Sequence, residues 1–592
     1  MDHNHSGKIK TIIIETKRKD KGIMKQLKKL LSVLFAFTIL MGMSVSVKAE
    51  DTYTITITKD GTDKAAHTYG AYQLFKGDYA EENGEKTLSN ITWGDNINSS
   101  AAITELKKIS NFSTLSDAAS ASDVAKALSD AKFITDSTEA QAVANAFNTA
   151  LNSAAPKETG IIAANANTGT ITIKEAGYYL IKDTEDVSGE GAKTRYILCI
   201  VSDVSVTEKA SVPSVIKKVD DIIDSNTTED TVEWQDSADY DIGDAVPFKL
   251  TATTASTVSN YAKYHLTFQD KQSAGLTAPT SYTITVLEKT FTLSANATTA
   301  ETQTTTNGTK ITVENATPDT EQTFAIKVTF ENSTSGNKIP DEANSKPVEV
   351  TYTSVLNENA VFGSTGNPNE VYLKFSNNPY STNDSEEGTS PTDKVIVFTY
   401  KPVITKTDNS GNALAGAGFT LYKKVVGTTV NSTTTYPDGA QTGSAIKTAL
   451  HNTNTSIHAS ALNDNDYYVA KQMTLVSGST NQFEFKGIDD GDYVLVETTI
   501  PAGYNAFESK AFTVSATHDT NADNPTLTQL TGENLLTGTV DTGILSADIV
   551  NQKGNTLPST GGIGTTVFYV IGGVLVAGAA VVLIAKNKMS KN

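Results

Sequence analysis

The chain has 592 residues, more than one hydrophobic core ordinarily serves, so about three domains are expected. Its formal charge is −19; with the ten basic and three acidic residues of the first 49 and the three lysines of the last 31 set aside, residues 50–561 carry −29. A surface that acidic repels nucleic acid, and a single cysteine, Cys199, excludes an intramolecular disulfide.

Thr, Ser and Asn are abundant, aromatics are 7%, and Thr/Val/Tyr runs alternate with Gly, Asn and Asp clusters, which reads as many short strands in all-β modules placed in series. At the N-terminus, Lys25, Lys28 and Lys29 precede the apolar stretch Leu30 to Val47, and Val47-Lys48-Ala49 stands before Glu50. A basic region, an apolar region and a small residue make residues 1–49 a secretory signal peptide cleaved between Ala49 and Glu50.

Residues 50–211 form the first expected module. It opens on the alternating Tyr53-Thr54-Ile55-Thr56-Ile57; between about 98 and 155 the period turns helical, with Asp136 and Glu139 as a capping box and Val143, Phe147 and Leu151 on one face. Strands resume at Thr170-Ile171-Thr172-Ile173 and at Gly177-Tyr178-Tyr179-Leu180-Ile181, so a β-sandwich with a helical insertion is predicted. Cys199, inside Tyr196-Ile197-Leu198-Cys199-Ile200-Val201, reads as a buried strand residue.

The second expected module, 212–400, begins with Val212-Pro213-Ser214-Val215-Ile216-Lys217-Lys218-Val219. Alternation puts Lys217 on the apolar face of Val215 and Val219, where a lysine needs a partner. The same alternation places the Asp270 carboxyl beside Leu266 and Phe268, and the Asn369 amide beside Val371, Leu373 and Phe375, with Asn357 and Asn377 as competing amides. Trp234-Gln235-Asp236-Ser237-Ala238-Asp239-Tyr240-Asp241-Ile242-Gly243-Asp244, Phe268-Gln269-Asp270 and Ala274-Gly275-Leu276-Thr277 resemble the isopeptide-forming second domain of Gram-positive major pilins over most of this module.

In the third expected module, 401–552, Val403-Ile404-Thr405-Lys406-Thr407-Asp408, then Glu497-Thr498-Thr499-Ile500-Pro501-Ala502-Gly503-Tyr504, then Ala547-Asp548-Ile549-Val550-Asn551 resemble the collagen-adhesin B-type domain, whose signature is a first-strand Lys, a Glu before Thr-x-x-Pro-x-Gly-Tyr and a last-strand Asn. The fold class that follows is all-β, tandem Ig-like (Cna-type) sandwiches with a helical insertion in the first and a C-terminal transmembrane helix.

The resemblances imply two intramolecular isopeptide bonds, Lys406 to Asn551 assisted by Glu497 and Lys217 to Asn369 assisted by Asp270. Burial disfavours charge, so a neutral amine and a neutral acid coexist in an apolar core; the amine attacks the amide carbon, the acid relays protons and ammonia leaves. A bridge from first to last strand closes a loop of about 150 residues, worth on the order of 5 kcal/mol by the chain-entropy argument used for disulfides. The first module lacks the pattern: Lys182 stands where a glutamate would follow Tyr179-Leu180, and no late asparagine precedes 209, so no bond is expected there.

Residues 553–592 carry Leu557-Pro558-Ser559-Thr560-Gly561, an apolar span from about Val567 to Ala585, and Lys586, Lys588 and Lys591. This tripartite end resembles the cell-wall sorting signal of Gram-positive surface proteins. It implies a sortase that cleaves between Thr560 and Gly561, holds the Thr560 carbonyl as a thioester and passes it to an amine. In major pilins the receiving lysine ends the first domain in a Tyr-Pro-Lys-Asn-like motif; here only the lysine of Val206-Thr207-Glu208-Lys209-Ala210 survives, so Lys209 takes the role by position. The expected partners are sortase, identical subunits of a pilus and peptidoglycan, with room for accessory pilins and host surface ligands. The rival is a single wall-anchored adhesin on an isopeptide-stabilised stalk. The scattered histidines, and the lack of metal-ligand spacing, a Gly-rich phosphate loop or a nucleophile motif, point away from an enzyme and from any metal or cofactor.

Overall fold

The computed structural model describes residues 52–83, 85–134, 137–200, 203–221, 233–381, 383–430, 433–555, 557 and 563–590. The signal-peptide positions Ala49 and Glu50, and Pro558, Ser559, Thr560 and Gly561, lie outside the described residues. The described chain falls into two compact units, one of residues 52–221, 233–399 and 517–529, the other of residues 400–516 and 530–590.

The first unit holds two β-sandwiches. In the first, Tyr53–Thr58 lies between antiparallel Thr168–Ile173 and parallel Val204–Thr207, and the sheet facing it is built on the long strand His67–Glu82 with Gly177–Asp183, Ile197–Ile200, Glu158–Ile162 and Glu85–Trp93. Strict alternation aims Tyr53, Ile55 and Ile57 into the core between these sheets, where Cys199 is also buried. Three helices, Ser99–Leu106, Ala121–Ala131 and Thr138–Thr149, form the insertion and bury Val124, Leu128, Val143 and Phe147.

Two helix details differ from expectation. Asp136 lies outside the described residues, and the cap of Thr138–Thr149 is Ser137, whose extended backbone brings its hydroxyl to the Ala140 N–H at 3.1 Å. A reciprocal capping box occurs instead on the preceding helix, between Ser120 and Asp123. Leu151 falls beyond the helix end at Ala150 and pairs with Ile97.

In the second sandwich, a seven-stranded sheet contains Ser214–Asp220, Ala245–Thr253 and Pro347–Leu356; an eight-stranded sheet contains Lys263–Gln272, Asn367–Ser376 and Asp393–Phe398. Phe248, Leu250 and Val350 from one sheet meet Leu266, Phe268, Val371 and Leu373 from the other. Gly366 precedes the Asn367–Ser376 strand with φ of 55°, and a Cβ there would lie 2.4 Å from Ile396, so the entry of this strand into the sandwich requires glycine.

The second unit is a further sandwich. A five-stranded sheet pairs Lys401–Asp408 in parallel with Ile544–Asn551; a six-stranded sheet faces it, centred on Gly418–Val425 and Gly491–Thr499. The helix Ile563–Met589 follows. Its segment Thr566–Met589 contains an 18-residue stretch of mean hydropathy 2.6 and is long and apolar enough to cross a membrane.

Candidate functional site

Two buried pockets each bring together a lysine, an acid and an asparagine. In the 214–398 sandwich, Lys217 leaves its strand inward with Val215 and Val219, while Ile216 points outward and is half exposed. Asp270 and Asn369 stand on neighbouring antiparallel strands of the facing sheet, where the register sets Asp270 opposite Val371 and Gln272 opposite Asn369. All three side chains are fully buried. The Lys217 Nζ donates to Asp270 Oδ2 at 2.6 Å, to Asn369 Oδ1, and to the Glu370 carbonyl at 3.3 Å.

Two groups that sequence reasoning missed complete this pocket. The Tyr352 hydroxyl donates to Asp270 Oδ2 at 2.9 Å and accepts from Asn369 Nδ2 at 2.9 Å. Asp393 Oδ2 accepts the Lys217 backbone N–H at 2.6 Å, tying the lysine strand to the opposite sheet. The rings of Phe248 and Tyr352 lie 5.7 Å from the amine and exclude water. Desolvation pulls the Lys217 amine down to about 8 against the attraction of Asp270, and burial raises the Asp270 carboxyl against the opposing pull of Lys217. The amine is therefore drawn toward its neutral form while it contacts a carboxamide oxygen. Neither competing amide reaches it: Asn357 donates to the Ala274 carbonyl at 3.1 Å and Asn377 to the Val187 carbonyl at 2.6 Å.

In the 401–551 sandwich the partition differs. Lys406 and Asn551 occupy adjacent parallel strands of one sheet, Lys406 in register with Ile549, and Glu497 reaches in from the facing sheet. All three are again buried. The Asn551 Nδ2 donates to both Glu497 oxygens, at 2.8 and 2.9 Å, and the Phe507 N–H donates to Glu497 Oε2 at 2.7 Å. The Lys406 amine donates to the carbonyls of Ile549 at 3.0 Å and Thr407 at 3.2 Å; desolvation brings it down to about 8, opposed by Glu497. The Asn551 Oδ1 is buried with no hydrogen-bond partner, as is Asp270 Oδ1 in the other pocket. Unmatched buried oxygens are costly, and each sits here within a lysine–acid–asparagine set.

Lys209 follows the Val204–Thr207 strand. It is half-buried; its N–H donates to Thr194 Oγ1 at 2.9 Å and its carbonyl accepts from Asn260 at 3.3 Å. Of the sorting motif, only Leu557 is described, and it is exposed.

The first sandwich has a buried polar cluster of another kind, which sequence reasoning did not find. His67 Nδ1 meets Asp183 at 2.8 Å and Glu208 at 3.6 Å, its Nε2 meets Asp63 at 3.1 Å, and the buried Lys59 amine lies 3.6 Å from Asp63. Tyr69 donates to Glu208 at 2.9 Å. Lys59 and Glu208 directly follow the first and last strands, which pair in parallel with Thr58 opposite Thr207.

The chain thus combines β-sandwich modules, two of them with such pockets, with a C-terminal helix of membrane-spanning length. Residues 401–526 match the SpaA family, described as a prealbumin-like fold domain, and residues 549–591 match the LPXTG cell wall anchor motif, so the chain is a cell-wall-anchored surface protein of the Gram-positive type. It is 28% identical over 283 residues to the trypsin-resistant surface T6 protein of Streptococcus pyogenes serotype M6, an alignment covering 42% of this chain and 50% of that protein. The chain thus spans about half the length of the curated relative it matches. Among solved structures it resembles the T6 backbone pilin of serotype M6 Streptococcus pyogenes, with 17% identity, a TM-score of 0.46, and coverage of 86% of this chain and 100% of that one. It also resembles the full-length major pilin SpaD of Corynebacterium diphtheriae, with 14% identity, a TM-score of 0.39, and coverage of 86% and 99%.

Proposed function

We propose that the chain is the shaft subunit of a covalently polymerised pilus, joined by sortase through Thr560 to Lys209 of the next subunit and stitched internally by Lys217–Asn369 and Lys406–Asn551 amide bonds. The observation that carries this reading is the pair of buried lysines, each drawn toward neutrality and each sharing a sealed pocket with one acid and one carboxamide. The anchor match and the relative named as a surface protein support the location. Peptidoglycan, through the last subunit's Thr560, is the terminal partner.

The reading also accounts for the sandwich without a lysine–asparagine pair. If tension enters a subunit at Lys209 and leaves at Thr560, residues 52–208 lie outside the loaded path and a covalent stitch there would carry no force. The two sandwiches between Lys209 and Thr560 are the two that hold the reactive sets.

Each bond expels one ammonia, so the intact secreted chain should weigh about 34 Da less than its sequence requires, and Glu497→Ala or Asp270→Ala should each restore about 17 Da. A mass equal to the sequence would end the amide-forming reading. Polymerisation is read separately: an immunoblot of wall extract should show a high-mass ladder that collapses to one band in Lys209→Ala. A single band from the unaltered chain would instead mark an adhesin anchored one copy at a time.

A further inference from the structure

The two pockets solve the same proton problem with different acids. Forming the amide requires a proton to leave the attacking amine and a proton to reach the departing nitrogen. At Asn551 that nitrogen touches both Glu497 oxygens directly. The carboxyl of Asp270 is one methylene shorter, and its Oδ2 takes the Lys217 amine; between that oxygen and Asn369 Nδ2 stands the Tyr352 hydroxyl, 2.9 Å from each.

We propose that Tyr352 is a catalytic residue of the Lys217–Asn369 reaction, its hydroxyl carrying a proton from Asp270 to the departing Asn369 nitrogen; this rests on the reading of the pocket as amide-forming. The steps balance. The Lys217 Nζ lone pair attacks the Asn369 carbonyl carbon, and the neutral Asp270 acid takes the amine proton on one oxygen as it gives up its own from the other. Tyr352 gives its hydroxyl proton to Nδ2 while taking one from Asp270, the carbon–nitrogen bond breaks, and ammonia leaves with Tyr352 and Asp270 as they began.

In the resting pocket the hydroxyl donates to the acid and accepts from the amide; both bonds reverse along the same two 2.9 Å contacts once attack makes Nδ2 pyramidal and frees its lone pair to accept. Burial pushes the phenol well above its ordinary value, so it enters the reaction protonated. Its ring is fixed by Phe248 at 5.4 Å and Phe324 at 5.1 Å, which leaves the hydroxyl little freedom to turn elsewhere.

The test follows newly synthesised full-length chain by pulse–chase and counts the two cross-linked peptides by mass spectrometry, so that Lys406–Asn551 is an internal clock. Tyr352→Phe removes one oxygen from a well-packed ring and should slow Lys217–Asn369 formation about 10²-fold while Lys406–Asn551 forms at the unaltered rate. Site-specific replacement of Tyr352 by a fluorinated tyrosine keeps the shape and acidifies the hydroxyl; a proton carrier responds with a changed rate and a pH profile moved to lower pH, whereas a packing role moves neither. Wild-type speed in Tyr352→Phe, or an unchanged rate and profile with fluorotyrosine, overturns the proposal. Absence of the Lys217–Asn369 peptide from the unaltered chain would overturn the amide-forming reading instead.

Discussion

The sandwiches of residues 214–398 and 401–551 hold the same three functional groups, divided oppositely between their sheets. In the later one, lysine and asparagine are neighbours on the parallel first and last strands, and the acid comes from across the core. In the earlier one, acid and asparagine are neighbours and the lysine crosses the core. A bond in the later sandwich therefore locks two strands of one sheet, whereas a bond in the earlier one staples sheet to sheet. The expectation of a first-to-last-strand bridge holds as geometry only for the later pocket. In the earlier one Asn369 lies on the strand Asn367–Ser376, and Asp393–Phe398 still follows it.

That difference should be largest under force. With both bonds in place, pulling a chain from Lys209 to Thr560 in a single-molecule instrument bypasses residues 407–550 completely, but leaves residues 370–400 held only by non-covalent contacts, their hydrogen bonds and the core packing of Val371, Leu373, Phe375, Val395 and Val397. The unaltered molecule should lengthen by about 100 Å as those roughly 30 residues unravel, and Asn551→Ala should add a further extension of about 500 Å as the later sandwich opens. An unaltered chain that releases the full length of either sandwich would show that its stitch is not there.

Smaller, but measurable without force, is the effect on equilibrium stability. Each closed loop is about 150 residues, so removing either acid, by Glu497→Gln or Asp270→Asn, should cost its own sandwich about 5 kcal/mol and leave the other unchanged. Domain-resolved denaturant unfolding reads this directly. Equal loss in both sandwiches from one substitution would contradict independent stitches.

How much of this was legible in the sequence follows from how each group is carried. Lys217, Asp270 and Asn369 could be placed facing the core because each continues an alternating apolar row, Val215 and Val219 around Lys217, Leu266 and Phe268 before Asp270, Val371 and Leu373 after Asn369, and a polar residue in such a row is conspicuous. Lys406, Glu497 and Asn551 came from a resemblance. Tyr352 left little trace, since in the alternating row Val348, Val350, Tyr352 an aromatic residue reads as ordinary core; the available signal was that a buried phenol needs a partner for its hydroxyl. The sheet partition was hidden, because alternation assigns a face but not a neighbour. The cluster around His67 was out of reach for a different reason: Asp183 and Glu208 come from segments distant from the Asp63–His67 pair, and single charges in Thr-rich stretches read as solvated.

That cluster supplies the smallest and sharpest contrast, because its stability must depend on pH with the sign opposite to that of an unstitched lysine. Asp183 and Asp63 raise His67 to about 10 despite its burial, and desolvation raises Glu208 to about 7. The fold favours the protonated form of both groups. Glu208's contribution is complete below its ordinary 4.5 and is lost as pH climbs through about 7; His67's is complete below 6.5 and is lost through about 10. Lys406 is the reverse: with its amine lowered to about 8, the fold favours the neutral form, so a chain with a free amine gains stability from pH 8 toward the ordinary value of 10.5. An amide has no such slope. Hydrogen exchange normalised to unstructured rates, compared at pH 7 and 9.5, should therefore show residues 53–207 loosening in every variant that keeps His67, residues 401–551 tightening in Asn551→Ala, and those same residues unchanged in the parent chain. His67→Gln should shrink the first of these slopes to the share that Glu208 carries and leave the other two as they were. A parent chain whose residues 401–551 tighten like the Asn551→Ala variant would mean that the Lys406 amine is still titrating there, and that the strands it joins are held by nothing stronger than their hydrogen bonds.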